Sequence, residues 1–166
     1  MFEYVNKDRK RLQKFLPWPP HMKSAKDELA FIISMAVAWR KFKNFDYGRF
    51  RKEDGLYMGN IGVHTINWKN HYCEIGYWIL GDFEGHGYMS EAVTCLEDAL
   101  FEIGFNRVQI RCSTTNKRSA NVPTACGYCH EGTMRQDGID LGKFRDTHVF
   151  SKLRSEWKAK NKRSRK

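Results

Sequence analysis

Residues 72–104 read YCEIGYWILGDFEGHGYMSEAVTCLEDALFEIG. Tyr72 to Leu80 is rich in aromatic and branched apolar residues, which is the composition of a strand. Alternation along it puts Glu74, Gly76 and Trp78 on one face and Cys73, Ile75, Tyr77 and Ile79 on the other. Met89, Ala92, Val93, Leu96, Ala99, Leu100 and Ile103 then recur with the period of an amphipathic helix, and Gly104 is placed to stop it. Between strand and helix, Gly85 and Gly87 allow a tight turn whose N–H groups, reinforced by the helix dipole, can face an anion such as a pyrophosphate. An ordinary strand-to-helix turn would have the same glycines. The dinucleotide fingerprint is not met, because the third glycine and an opening βαβ unit are missing.

Working outward, Ser24 and Asp27 form a capping-box pattern ahead of Leu29, Ile32, Ile33, Ala36 and Val37, which predicts a helix from about Ser24 to Lys41. Leu16-Pro17-Trp18-Pro19-Pro20 separates it from a short basic helix over Asn6 to Phe15. Strands are predicted over Phe45 to Lys52 and Leu56 to Thr65, joined to Tyr72–Leu80 in a meander by turns at Glu53-Asp54-Gly55 and Trp68 to His71. After Gly104 come a strand, Arg107 to Cys112, a short helix near Arg118 to Cys126, and two strands, Tyr128 to Gln136 and Lys143 to Lys152, around a turn at Gly138 to Gly142. Strands with interspersed helices and no repeat or linker imply one mixed α/β or α+β domain. Its expected extent is 1–155. Lys158, Lys160, Lys162, Arg163, Arg165 and Lys166 mark 156–166 as a basic tail expected to be solvated.

The chain has 166 residues, 41% hydrophobic and 29% charged, which excludes a disordered or membrane-embedded class. No apolar run approaches the ~20 residues needed to span a bilayer. Met1 to Arg11 is charged where a signal peptide would be apolar, so a cytoplasmic location is expected. The odd count of five cysteines points to free thiols, and the net charge of +10 to polyanionic partners such as RNA, a ribosome or a phosphorylated cofactor.

Four segments occur in order: Glu74-Ile75-Gly76-Tyr77-Trp78, Phe83 to Ala92, Asn116-Lys117-Arg118-Ser119, and Gly127-Tyr128-Cys129-His130-Glu131-Gly132. Together they resemble the GNAT N-acetyltransferases, in particular the Rim-type branch that acetylates ribosomal-protein N-termini. Leu16-Pro17-Trp18 and Asp146 to Leu153 fit the same branch. The resemblance implies a mostly antiparallel sheet with one splayed parallel strand pair, and acetyl-CoA as cosubstrate, with no metal and no haem. It implies pantetheine contacts from the backbone of Trp78, Ile79 and Leu80. The pyrophosphate would lie on the loop Glu84, Gly85, His86, Gly87, Tyr88, Met89 and Ser90, with Asn116 completing the cofactor contacts. Glu84 departs from the family's Gln or Arg, and Met89 from its small residue. Lys117 and Arg118 reach the nucleotide phosphates or remain solvated. The family also begins with a strand and most of a helix ahead of Leu16-Pro17-Trp18, whereas fifteen residues precede it here. The first strand is therefore expected to be missing, Phe45–Lys52 to be a sheet edge, and the chain to self-associate, as a homodimer for example, or to be marginally stable or poorly soluble.

By the same resemblance Glu74 matches a general base and Ser119 a general acid that protonates the departing thiolate. The residues alone leave a structural carboxylate and a helix-capping hydroxyl open. Tyr128 falls at a packing position. The implied function is acetyl transfer from acetyl-CoA to an N-terminal α-amine or a similar primary amine. An α-amine, with a reference pKa of ~7.7–8.0 against ~10.4 for lysine, asks less of a single base. The alternatives are a non-catalytic GNAT scaffold that binds RNA or a ribosome, and a polyamine or antibiotic acetyltransferase. Cys126-Gly127-Tyr128-Cys129-His130 matches a haem-attachment or redox pattern, but it coincides with the helix-to-strand junction of the family. No second ligand pair supports zinc, and His64, His71 and His148 read as surface or core residues.

Overall fold

In this computed structural model residues 1–163 are described, with side chains through residue 159. The elements run α1 (Phe2–Lys7), α2 (Arg9–Leu12), α3 (Ala25–Arg40), β1 (Phe45–Phe50), β2 (Tyr57–Asn67), β3 (Tyr72–Ile79), α4 (Tyr88–Glu102), β4 (Arg107–Ser113), α5 (Lys117–Ala125), β5 (Cys129–Asp140), β6 (Lys143–Leu153) and α6 (Arg154–Arg163). Six strands form one sheet in the order β1-β2-β3-β4-β6-β5. Its pairs are antiparallel except β3 with β4. β1 lies at an edge, as expected, and the residues ahead of Leu16 form α1 and α2 without adding a strand.

One sheet face carries the main core, where Ile61, Val63, Cys73, Ile75, Val108, Ile110 and Phe150 meet Met89, Val93, Leu100 and Phe101 of α4. Cys73 and Ile75, with Tyr77 and Ile79 packed against the cluster, lie on the face that the alternation of β3 assigns them. The other face is covered toward the end of β3 by a smaller cluster of Val5, Leu12 and Met22, with Trp18, Phe31 and Trp78 packed against it. Asp8 breaks the expected basic helix in two, and its carboxylate takes the Arg11 guanidinium and the Gly81 N–H.

α3 forms where predicted, with the Ser24 hydroxyl accepting from the Asp27 N–H at 3.3 Å. The apolar stripe that predicts it nevertheless faces outward, with Leu29, Ile32, Ile33 and Val37 exposed. Inward anchors fix the rotation. Glu28 takes the Phe2 N–H and the chain's N-terminal ammonium, Phe31 joins the smaller cluster, and Trp39 meets Phe45 and Tyr47 edge-on. Two further expectations are corrected. The β5–β6 turn is Leu141-Gly142, both at positive φ, rather than Gly138 to Gly142. The boundary at 155/156 falls inside α6, because Trp157 packs on Phe101 and donates its indole N–H to Asp98 at 2.5 Å. Arg165 and Lys166 lie outside the described residues. No helix of the described residues is long and apolar enough to cross a membrane.

Candidate active site

β3 and β4 pair only over Tyr72↔Arg107, Cys73↔Val108 and Glu74↔Gln109, after which the two strands part. Glu74 therefore stands at the apex of a cleft. Its side chain is buried, and Oε2 accepts from Gln109 Nε2 and Arg111 Nε, each at 2.9 Å. Arg111 also faces Asp137 at 3.6 Å. Glu74 Oε1 faces His64 Nε2 at 3.9 Å. One carboxylate oxygen is thus held by the sheet while the other is turned to a neighbour on the open face.

Two glycines shape that face. Gly62 and Gly76 are cross-strand partners, beside the pair His64↔Glu74. A Cβ at Gly76 would come within 2.6 Å of His64 Nε2, and one at Gly62 within 3.0 Å of Asp46 Oδ1 and 2.8 Å of the Phe45 carbonyl. The His64 ring and the Asp46 carboxylate each lean across a glycine in space that a side chain would fill. Asp46 is held from behind by Asn60 Nδ2 at 2.5 Å, and Tyr57 donates its hydroxyl to Asn60 Oδ1. Burial holds the Asp46 carboxyl above its ordinary pKa. Two carboxylates and an imidazole over a glycine floor suit a cationic ligand.

Ser119 stands in the first turn of α5. Asn116 Oδ1 caps α5 by accepting from the Ser119 N–H at 3.1 Å, so the capping role considered for Ser119 belongs to Asn116. Tyr77 of β3 donates its hydroxyl to the Ser119 carbonyl at 2.9 Å, and the two hydroxyl oxygens are 3.5 Å apart. Burial pushes the Tyr77 phenol and the Cys112 thiol up. The Ser119 hydroxyl thus lies in the first turn of α5, beside the Tyr77 hydroxyl of β3.

In the glycine loop Gly85, His86 and Gly87 are exposed, Tyr88 and Ser90 are half-buried, and Met89 is in the core. His86 stacks on Tyr88, and Arg49 donates to the Tyr88 carbonyl at 2.6 Å. Glu84, the acidic departure, is bonded by Arg11 at 2.5 Å and by Arg118, so two guanidinium groups offset its charge. Arg118, its side chain 76% exposed, is held beside the loop by this ion pair. Of the backbone groups expected to hold the pantetheine arm, the Leu80 N–H is bonded to the Met58 carbonyl at 2.8 Å and the Ile79 carbonyl accepts from Arg11 at 2.5 Å. Trp78 packs its ring on Trp18 and Tyr57.

Gly85 and Gly87 have φ of +82° and +80°, and a Cβ on either would meet nothing within 4 Å. Their requirement is conformational. A β-branched residue at Gly87 is strained by ~1–2 kcal/mol in this left-handed conformation. Relaxation of the loop in Gly87→Val is then expected to weaken acetyl-CoA binding about tenfold in a calorimetric titration. Equal affinity would remove the loop from the site.

Residues 1–128 match the family of the acetyltransferase (GNAT) domain. The chain belongs to the GNAT acetyltransferases. Over 106 residues this GNAT chain is 38% identical to the Bacillus subtilis protein YdaF, named as a candidate ribosomal N-acetyltransferase, a match spanning 63% of this chain and 57% of YdaF. It is 25% identical over 154 residues to the ribosomal-protein-serine acetyltransferase of Escherichia coli, covering 92% of this chain and 85% of that one. Among solved structures it superposes on RimL, a ribosomal α-N-protein acetyltransferase in complex with coenzyme A, with a TM-score of 0.87 at 24% identity, over 92% of this chain and 85% of RimL. On the microcin self-immunity acetyltransferase MccE in complex with acetyl-CoA and AMP the TM-score is 0.86 at 23% identity, over 92% and 84% of the two chains. These last two likenesses show the shared fold.

The GNAT cleft also gathers residues the sequence does not single out: Asp46, Asn60, Tyr77, Gln109 and Arg111, together with His64, which from sequence reads as a surface or core residue. The available signal was the pair of glycines, Gly62 and Gly76, each two positions from a polar residue on the same strand face. Cys126-Gly127-Tyr128-Cys129-His130 forms the α5–β5 junction, with Cys126 buried and Cys129 exposed. Tyr128 is buried packing, with the Lys152 ammonium 4.7 Å from its ring centre.

Proposed function

We propose that the chain transfers the acetyl group of acetyl-CoA to the α-amine of a polypeptide N-terminus, of ribosomal-protein type, by direct attack. The observation that carries this reading is the position of Glu74 at the apex where β3 and β4 part, with Oε1 toward the open sheet face. In this reading the parted strands admit the pantetheine arm, and the loop and first turn of α4 hold the pyrophosphate by N–H groups that lack intrahelical acceptors. The amine approaches over Gly62 and Gly76, drawn by Asp46 and Glu74. Glu74 takes a proton as the C–N bond forms, and Ser119 supplies one as the C–S bond breaks. The thiols need no part: burial pushes Cys73 up to about 12 and raises Cys112 and Cys126, so they remain protonated.

Ribosomal-protein names among the relatives and a net charge of +10 support an acceptor carried on an RNA-rich particle. The test is free-thiol release from acetyl-CoA with N-terminal peptides, lysine peptides blocked at the α-amine, polyamines and aminoglycosides in parallel. Turnover confined to free α-amines is expected. Preference for polyamines or aminoglycosides would move the assignment to small cationic acceptors, and acetyl-CoA binding without release in any arm would indicate a non-catalytic scaffold.

A further inference from the structure

The reaction proposed above has a proton requirement that a single buried carboxylate meets poorly. An α-ammonium reacts as R–NH3+ + CH3CO–S–CoA → R–NH–COCH3 + HS–CoA + H+. The nitrogen sheds two protons: one before it can attack, one as the C–N bond forms. The departing thiolate recovers one and the other goes to solvent. Glu74 is 6% exposed in its side chain, and its Oε2 is already engaged by Gln109 and Arg111.

We propose that His64 is a second proton acceptor of the reaction, its Nε2 taking the first proton of the acceptor ammonium and releasing it to water, while Glu74 Oε1 takes the second. This assignment rests on the acetyl-transfer reading. His64 and Glu74 are directly opposite in register, with Nε2 and Oε1 3.9 Å apart. Two atoms at that separation can both lie at hydrogen-bond distance, ~2.9 Å, from one amine nitrogen placed between them. Thr65 Oγ1 is 3.0 Å from His64 Nδ1; with the hydroxyl oxygen accepting from Nδ1–H, Nε2 becomes the basic nitrogen. The ring rests where Gly76 leaves room, and its side chain is 39% exposed, so a proton taken there has a way out that Glu74 lacks.

The charged groups around the imidazole come from four strands: Asp46 of β1 over Gly62, Glu74 of β3, Arg111 of β4 behind Glu74, and Asp137 of β5 behind Arg111. The two carboxylates lie nearest to the ring, and Arg111 is divided between Glu74 and Asp137. When the C–S bond breaks, the thiolate takes the Ser119 proton and the hydroxyl is restored from water. Once the product has left, Glu74 passes its proton to His64 Nε2, 3.9 Å away, and on to water, so the net yield is one proton per turnover.

The test compares wild type, His64→Ala and His64→Gln with an N-terminal peptide acceptor at about pH 7 and about pH 9, with and without added imidazole, alongside calorimetry with acetyl-CoA. Both variants are expected to lose about 10²-fold in kcat at the lower pH with acetyl-CoA affinity kept. The deficit is expected to shrink at least about tenfold at the higher pH, where the α-amine is already neutral, and imidazole is expected to restore part of the His64→Ala rate. Full activity of both variants at the lower pH overturns the assignment. So does a deficit that neither pH nor imidazole changes, since that is the mark of a structural role. Wild type that binds acetyl-CoA but acetylates no peptide ends the acetyl-transfer reading itself, whereas active wild type with indifferent variants ends the His64 assignment alone.

Discussion

Glu74→Gln is expected to lower kcat by about 10²–10⁴-fold and to leave acetyl-CoA affinity within about a factor of two. The amide keeps the shape of the side chain, and its carbonyl oxygen can still accept from Arg111 or Gln109, so the apex of the cleft is retained. Arg111, 35% exposed and also facing Asp137, is not stranded in a dry interior by the loss of charge. What disappears is the basic oxygen turned to the open face. Thiol-release kinetics and calorimetry on one preparation separate the two effects. A full-rate Glu74→Gln enzyme would exclude proton transfer at this position, and an unfolded one would favour the structural reading of the carboxylate.

The largest stability effect is expected at a pair with no part in the chemistry. Lys152 of β6 and Glu97 of α4, 4% and 1% exposed in their side chains, are joined at 2.6 and 2.8 Å, and the ammonium also donates to the Cys126 carbonyl at 2.6 Å. With the Tyr128 ring 4.7 Å away, the cation has exchanged water for partners on α4, α5 and an aromatic face. Glu97→Ala leaves that ammonium buried without its counter-charge and is expected to cost about 3–5 kcal/mol in denaturant unfolding, or roughly 6–20 °C in Tm. The double change Glu97→Leu with Lys152→Met removes both charges and is expected to recover most of the loss. Equal destabilisation by the single and double changes would mean that packing volume, not the unpaired charge, sets the cost.

The same pair shows where sequence reading reaches its limit. Glu97 lies on the buried line of α4 with Met89, Val93 and Leu100, so its inward position could be inferred from spacing. Its partner could not be, because Lys152 is 55 residues away and only the packing of α4 against the sheet brings them together. Glu84 is a similar case. It stands as an unwanted charge in the loop until Arg11, 73 positions earlier, and Arg118 are seen to meet it.

The strand, glycine turn and helix over residues 72–104 were legible because composition, alternation and helical period agree there. α3 was legible as a helix but not in its facing, because it is apolar on more than one side and its rotation is set by Phe31, Trp39 and Glu28 in distant contacts. The C-terminal segment reads as a basic tail because its lysines and arginines outweigh Trp157, whose indole finds Asp98 and Phe101 on α4. Glu74 and Ser119 were found through a family resemblance. His64 and Asp46 emerge only when strand register sets them beside Gly62 and Gly76.

A crystal structure of the chain with coenzyme A tests the central claim most directly. The account predicts the pantetheine arm between β3 and β4 beyond Glu74↔Gln109, the pyrophosphate within hydrogen-bond distance of N–H groups in residues 84–90, and the sulfur between Glu74 and Ser119. Coenzyme A bound elsewhere, with the parted strands empty and the glycine loop unengaged, would contradict it.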